Sequence, residues 1–201
     1  MAEPGPSSSQ HRPSESASAW EAALLVRARQ GDREAFGRLV EEALPRALML
    51  ARGLVLRADL AQDLVQEACV RAFQARAQLD PGRPFWPWLY QVLRRLCLNA
   101  LRDARTRASL LEAAPDALVR RAGGPDPAAA AMSAEEAGRC RAAIAALPPR
   151  EREVLALREW QGLSYRDIAD LLEIPLGTVM SRLWSARRRV AMDLGAERGA
   201  S

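Results

Sequence analysis

The 201-residue chain is predicted to be all-α, built as two small helical domains joined by a flexible linker. Three observations carry that expectation. Residues 20 to 107 repeat apolar side chains at helical spacing and offer no convincing strand alternation. Residues 108 to 137 interrupt the pattern with Gly123, Gly124, Pro125 and Pro127 followed by an alanine run. That composition marks a linker with at most fragmentary helix. Residues 138 to 194 then supply three short helices, the last of them rich in arginine.

The first nineteen residues are Ser- and Pro-rich, lack the apolar run of a signal peptide and show no helical period, so residues 1–19 are expected to be a disordered tail. The only histidine, His11, lies there without a partner for chemistry. Residues 19 to 55 read as two helices broken near Gly31 and Asp32, with Pro45 as a break or kink in the second. "ADLAQDLVQEACVRAFQAR" follows as a long helix whose Leu60, Leu64, Val65, Ala68 and Ala72 share a broad buried side. Its other side carries Asp63, Gln66, Glu67, Val70 and Gln74. An apolar residue set among acids and amides suggests a partner surface with an apolar centre and a polar rim.

After a loop, "AQLDPGRPFWPWLY", the helix "QVLRRLCLNALRDARTR" carries five arginines against one acid. Val92, Leu96, Leu98 and Leu101 can supply its packing. The aromatic residues Phe85, Trp86, Trp88 and Tyr90 beside a basic helix suit unstacked, single-stranded bases. Core packing is the competing reading for Phe85, Trp88 and Tyr90.

In the third segment, Pro148 and Pro149 start a helix with Val154, Leu155 and Leu157 inside it and Gly162 near its end. Ser164, with Asp167 three residues on, forms an imperfect capping box for a second short helix. Its inner face is Ile168, Ala169 and Leu172, and a tight connection through Glu173 to Pro175 closes it. Ile174 can plug the angle to the last helix, where Val179, Leu183, Ala186 and Val190 form one narrow apolar stripe. Gly177, Ser181, Trp184 and Arg188 lie opposite that stripe, flanked by Thr178, Met180, Arg182, Ser185 and Arg187. A cationic helix of this width fits a DNA major groove, and three short helices ending in a basic one follow the helix-turn-helix plan.

A formal net charge of +4 and a sequence pI near 9.6 suit a polyanionic partner. All 29 basic residues are arginine, a bias that a GC-rich genome would also produce. Cys69, Cys97 and Cys140 are far apart and make no metal or disulfide spacing, so inert thiols in a reducing compartment are expected. No segment is long and apolar enough to cross a bilayer, and the chain is expected to be cytoplasmic without membrane insertion. No phosphate loop, metal cluster or acid–base constellation is present in the sequence, so neither a cofactor, a small-molecule substrate nor an enzymatic activity is expected.

Taken together, "DLVQEACVRAF", "PFWPWLYQVLRRLCLNALRD" and "LPPREREVLALREWQGLSYRDIADLLEIPLGTVMSRLWSARRRV" resemble conserved regions two and four of the extracytoplasmic-function (ECF) subfamily of sigma-70 family sigma factors. The resemblance implies region two at residues 20–107, a linker at 108–137, region four at 138–194 and a tail at 195–201. It implies a sigma factor that binds core RNA polymerase, recognises the minus-thirty-five and minus-ten promoter elements and promotes DNA melting. Asp63, Gln66, Glu67, Val70 and Gln74 match the helix that docks on the β′ coiled coil, and the β flap is a further implied contact. The loop from Asp80 to Arg83 matches the one that captures a flipped minus-ten base, with Arg94, Arg95, Asn99 and Arg102 holding bases and phosphates. Thr178, Met180, Ser181, Arg182, Trp184, Arg187 and Arg188 fall on the helix that reads the minus-thirty-five element. Met180 stands where the family often has Lys or Arg, which substitutes apolar contact with a thymine methyl for a polar one. Arg95 stands where many relatives have Asn. An anti-sigma factor is a further expected partner. The alternative reading is a free-standing helix-turn-helix transcriptional regulator.

Overall fold

The computed structural model describes residues 17–110 and 134–198, and among them every regular element is helical. Most of the expected N-terminal tail, residues 111–133 of the expected linker and the last three residues lie outside that set.

Helix α1 (Ala19–Arg29) starts at Ser18, whose side chain accepts from the Glu21 N–H at 3.2 Å. It turns into α2 (Arg33–Val55) through Gly31, which adopts the left-handed φ of 100° that glycine accommodates without a Cβ clash. The Asp32 carboxylate then caps α2, accepting from Glu34 and Ala35 N–H at 3.0 and 3.1 Å. These backbone bonds, and the Arg27 guanidinium bonded to the same carboxylate, hold the Asp32 carboxyl below the usual range. Of the break or kink expected at Pro45 there is no break, because α2 runs through it as one helix. The neighbouring turns bury Ala43, Ala47, Leu50 and Ala51 on one side, and that packing holds the helix through the missing N–H.

Helix α3 (Ala58–Gln74) buries Ala61, Val65, Ala68 and Ala72, while Leu60 and Leu64 pack only partly. Small residues line its inner side, so α3 lies close against α2 and α4. A 3-10 turn at Arg76–Gln78 leads to the loop at Asp80. There the Gly82 N–H donates to Asp80 Oδ1 at 2.9 Å, and the Arg83 N–H donates to the Asp80 carbonyl at 3.0 Å.

Helix α4 (Phe85–Leu110) starts six residues earlier than the sequence reading placed it. The Phe85 N–H donates to Glu21 Oε1 at 2.8 Å, which satisfies one of the exposed donors of the first turn. Pro87 is tolerated there because first-turn amides have no intrahelical acceptor. The earlier start rotates the aromatic residues inward. Phe85 meets Phe36 edge-on at 5.7 Å, and Trp86, Leu89, Tyr90, Leu93, Leu96 and Cys97 form the buried face. Of the four residues expected to pack α4, only Leu96 is fully buried; Val92, Leu98 and Leu101 lie at the margin.

The C-terminal group contains one helix more than expected. Helix α5 (Ala134–Ala146) occupies residues 134–137 that were assigned to the linker. Helices α6 (Pro149–Glu159), α7 (Tyr165–Leu172) and α8 (Leu176–Arg198) follow. The capping box of α7 is complete rather than imperfect. The Asp167 N–H donates to Ser164 Oγ, and the Ser164 N–H donates to Asp167 Oδ2, both at 3.1 Å. Glu173 takes a left-handed φ of 54°, and Ile174 packs partly into the angle between α7 and α8. Val179, Leu183 and Ala186 are fully buried along the expected stripe, with Val190 at its edge.

The two helical groups also touch each other. Helix α6 packs against α2, and one continuous apolar core runs from α1 to α8.

Candidate nucleic-acid and polymerase interface

Burying the apolar stripe of α8 leaves its opposite side in solvent. Met180 is 52% exposed and Trp184 62%, with Ser181, Arg187 and Arg188 also exposed and Thr178 and Arg182 half-buried. The Arg188 guanidinium lies 5.1 Å from the Trp184 ring centroid, a cation–π contact that holds both side chains on the outer face. The Arg187 guanidinium donates to Glu159 Oε1 at 2.6 Å, and that bond raises its already high pKa. Ser181 Oγ donates to the Thr178 carbonyl at 3.1 Å, so the hydroxyl still has lone pairs directed outward. Trp184, Ser185, Arg188, Arg189, Met192 and Asp193 line a shallow, open groove along the same side.

The second cationic surface is the outer side of α4 with the loop before it. Asp80, Arg83, Arg95, Asn99 and Arg102 are all exposed, and Arg83 Nε lies 3.5 Å from Asp80 Oδ2. Arg102 Nη1 donates to Asn99 Oδ1 at 3.4 Å, which pairs neighbouring turns of the helix. Arg94 differs from the rest of this set. Its Nε donates to Glu153 Oε1 at 2.5 Å and its Nη2 to Oε2 at 3.1 Å, across the contact between α4 and α6. That bond to Glu153 raises the Arg94 pKa further. Of the two readings of the aromatic residues, stacking on bases or core packing, the core is where they lie. Phe85, Trp86 and Tyr90 are buried, Trp88 is half-buried, and burial together with the Glu153 charge pushes the Tyr90 phenol well above its ordinary range.

The third surface is the outer side of α3. Asp63, Gln66, Glu67, Val70 and Gln74 are all exposed, and Val70 is 48% exposed among them. Glu67 accepts from Arg71 Nε at 2.6 Å one turn on, a solvent-exposed pair of small energetic consequence. On the inner side Ala61, Val65, Ala68 and Ala72 are buried, and Leu60, Leu64 and Phe73 pack partly against the core, which leaves the acids, amides and Val70 on the outer side.

Sequence reasoning missed Glu153, Arg152, Trp160 and Gly53. Glu153 is fully buried and accepts from the Tyr90 hydroxyl at 2.7 Å as well as from Arg94. Its neighbour Arg152 is also buried, donating to the Leu147 carbonyl at 3.0 Å behind α5 and to the Leu54 carbonyl at 2.7 Å in α2. Two adjacent buried charges violate helical amphipathicity. Their signal in "REREVL" is only a charged pair beside apolar residues, and their partners lie 59 and 98 residues away.

The chain matches two family models in this order: sigma-70 region 2 over residues 39–107 and sigma-70 region 4 over residues 138–190. It is 33% identical over 179 residues to the RNA polymerase sigma-H factor of Pseudomonas aeruginosa, covering 83% of this chain and 90% of that one. This chain belongs to the ECF group of the sigma-70 family.

The sigma factor is also 31% identical over 174 residues to the ECF RNA polymerase sigma-E factor of Escherichia coli, covering 83% of this chain and 90% of the relative. Against the probable RNA polymerase sigma factor RfaY of Xanthomonas campestris it is 34% identical over 171 residues, and it spans 43% of that longer protein. Among solved structures it resembles CnrH in complex with the cytosolic domain of CnrY, at 28% identity and a TM-score of 0.60 over 88% of this chain and 98% of that one. It resembles the sigma factor RpoE in complex with the anti-sigma factor NepR from Bartonella quintana at 25% identity and a TM-score of 0.59, over 80% of this chain and 96% of that one. No helix among the described residues is long and apolar enough to cross a membrane, and no group of His, Cys, Asp and Glu among them could hold a metal ion.

Proposed function

We propose that this sigma factor works by presenting three separate helical faces, one to core RNA polymerase and two to promoter DNA. The outer face of α3, with Asp63, Gln66, Glu67, Val70 and Gln74, docks on the polymerase β′ coiled coil, and the helix-turn-helix group additionally meets the β flap. The loop at Asp80 and Arg83, with Arg94, Arg95, Asn99 and Arg102 of α4, holds the melted minus-ten element. Thr178, Met180, Ser181, Arg182, Trp184, Arg187 and Arg188 of α8 read the minus-thirty-five element in the major groove. The observation that carries this reading is the outer face of α8, where exposed arginines, a serine and apolar Met180 and Trp184 lie together on a helix that follows a capped turn.

The reaction is binding rather than catalysis. Capturing a base outside the duplex costs a few kcal/mol of unstacking per step, which protein contacts offset without a nucleotide cofactor. Holding both DNA-reading faces on the polymerase at the separation of the two promoter elements raises the effective concentration of the second contact once the first has formed. Such a subunit acts with polymerase in the cytoplasm. An anti-sigma factor is a further partner, by similarity to two structures in which the relative is bound to another protein.

A pull-down of the full chain with core polymerase tests the assignment, comparing wild type with a Glu67→Arg, Val70→Asp double variant. Wild type is expected to form a stoichiometric complex and the variant to lose it. Wild type that binds DNA yet leaves core polymerase unbound would refute the reading.

A further inference from the structure

Helix α1 lies before residues 39–107, over which the region 2 model matches. It begins with Ser18 and, three residues on, Glu21, the pattern of a capping box. Ser18 Oγ accepts from the Glu21 N–H at 3.2 Å, which is the forward half of the box. The Glu21 carboxylate, which completes such a box by returning to the cap residue, goes to another helix instead. Its Oε1 accepts from the Phe85 N–H at 2.8 Å, across 64 residues of sequence. A carboxylate is well placed at the start of α4, where first-turn amides have no intrahelical acceptor and the helix dipole favours negative charge. Phe85 stands two residues after Arg83, and Pro84 between them fixes its own φ and keeps Arg83 out of the helical region. The loop at Asp80 is thereby held at both ends. Leu79 is buried before it, and Phe85 is buried after it. Within it, the Gly82 and Arg83 amides both turn back to Asp80, while the Asp80 and Arg83 side chains stay exposed. Helix α1 also lies against the 3-10 turn at Arg76–Gln78 that leads into the loop.

We propose that Glu21 is a positioning residue for the minus-ten loop, anchoring the start of α4 so that Asp80 and Arg83 meet the captured base in one geometry. The proposal rests on the minus-ten reading of that loop. Glu21 acts through the Phe85 amide and touches no DNA itself. The Phe85 ring, edge-on to Phe36 at 5.7 Å, fixes where α4 begins in space. The bond to Glu21 fixes something else. The Phe85 nitrogen belongs to the planar Pro84–Phe85 peptide unit, so holding its N–H sets the orientation of that plane and the direction in which Arg83 leaves it. Without the acceptor, a partly buried donor is left unpaired, and the first turn of α4 gains freedom to move toward water. Binding groups keep their selectivity only within about 0.5 Å of the productive arrangement. A loosened start of α4 therefore costs base discrimination at the loop before it costs the fold.

The test compares full-chain wild type, Glu21→Gln and Glu21→Ala, each bound to core RNA polymerase. A pool of random single-stranded DNA is captured on each complex and sequenced, and a random duplex pool is selected in parallel. In Glu21→Ala the strongest single-strand base preference is expected to fall about tenfold, the scale of one charge-assisted hydrogen bond. Glu21→Gln keeps a carbonyl oxygen for the Phe85 N–H and is expected to recover most of the preference. Duplex preferences, which α8 sets, are expected to stay as in wild type. Hydrogen exchange by mass spectrometry on the same chains should show the segment from Asp80 to Phe85 exchanging about tenfold faster in Glu21→Ala. Wild-type single-strand preference in Glu21→Ala would overturn the proposal. So would a Glu21→Gln chain as impaired as Glu21→Ala, because the charge and not the bond would then be responsible. Equal loss of single-strand and duplex preferences would also overturn it, since the effect would then be general destabilisation. If wild type shows no single-strand preference while the exchange difference holds, the minus-ten reading fails and the anchoring of the loop stands.

Discussion

The arginines on the outer side of α8 are not equivalent, and replacing Arg188 with alanine separates them. Arg187 is bonded to Glu159 at 2.6 Å and Arg189 lies 3.1 Å from Glu151. Among the described residues no carboxylate pairs with Arg188, which rests on the exposed Trp184 ring instead. Its charge is therefore uncompensated before DNA arrives, and one phosphate contact should disappear with it. Each phosphate neutralised on duplex DNA contributes about −0.9 to the slope of log K against log salt. Arg188→Ala should therefore bind more weakly at low salt with a slope shallower by about 0.9. Over a roughly fourfold rise in salt, wild type would then lose about 3.5 times more affinity than the variant. Fluorescence anisotropy of the full chain on several labelled duplexes at a series of salt concentrations measures this directly. Arg188→Lys should recover most of the slope, because an ammonium still serves as a point charge for phosphate. Parallel salt lines for wild type and Arg188→Ala would refute the reasoning.

Ser181→Ala should do the opposite on the same duplexes, changing the ranking of sequences while leaving the slope unchanged, since base contacts specify and phosphate contacts position. Ser164→Ala removes a complete capping box from an eight-residue helix, and urea unfolding should show a loss of about 1 kcal/mol. Burial pushes the Cys97 thiol up to about 12, above the ordinary value of about 8.5. Above about pH 8.5 the unfolded chain releases a proton that the folded chain keeps, so the stability present at lower pH falls by up to roughly 1.4 kcal/mol per pH unit. Cys97→Ala should lose that part of the decline between about pH 8.5 and 9.5 in urea titrations. Wild type and variant falling in parallel would contradict the assignment.

Where a single helix decides the outcome, the sequence was sufficient. The stripe of Val179, Leu183 and Ala186 is buried as its 100° spacing requires, so the side bearing Ser181, Trp184 and Arg188 must face out. Val70 among Asp63, Gln66 and Glu67 was legible for the same reason. The start of α4 was not, because Pro84 and Pro87 look like loop while the first-turn donor is satisfied by Glu21, 64 residues away. The sequence left the aromatic residues between two readings, stacking on bases and core packing, and their place on the first turns of α4 puts Phe85, Trp86 and Tyr90 in the core.

The sequence by itself determined the all-helical class, the helix-turn-helix with its basic outer face, and membership of the sigma-70 family, since each follows from local periodicity, capping and motif order. Only the tertiary structure decided which charges remain available. Arg94 and Arg95 are adjacent in the chain and chemically identical, yet one is clamped by a buried carboxylate and the other is exposed. Gly53 reads as a flaw in a helix until Trp160 is seen against it. Periodicity reports which way a side chain points relative to its own helix axis, but what it meets there depends on residues far away in sequence, and no local pattern encodes that meeting.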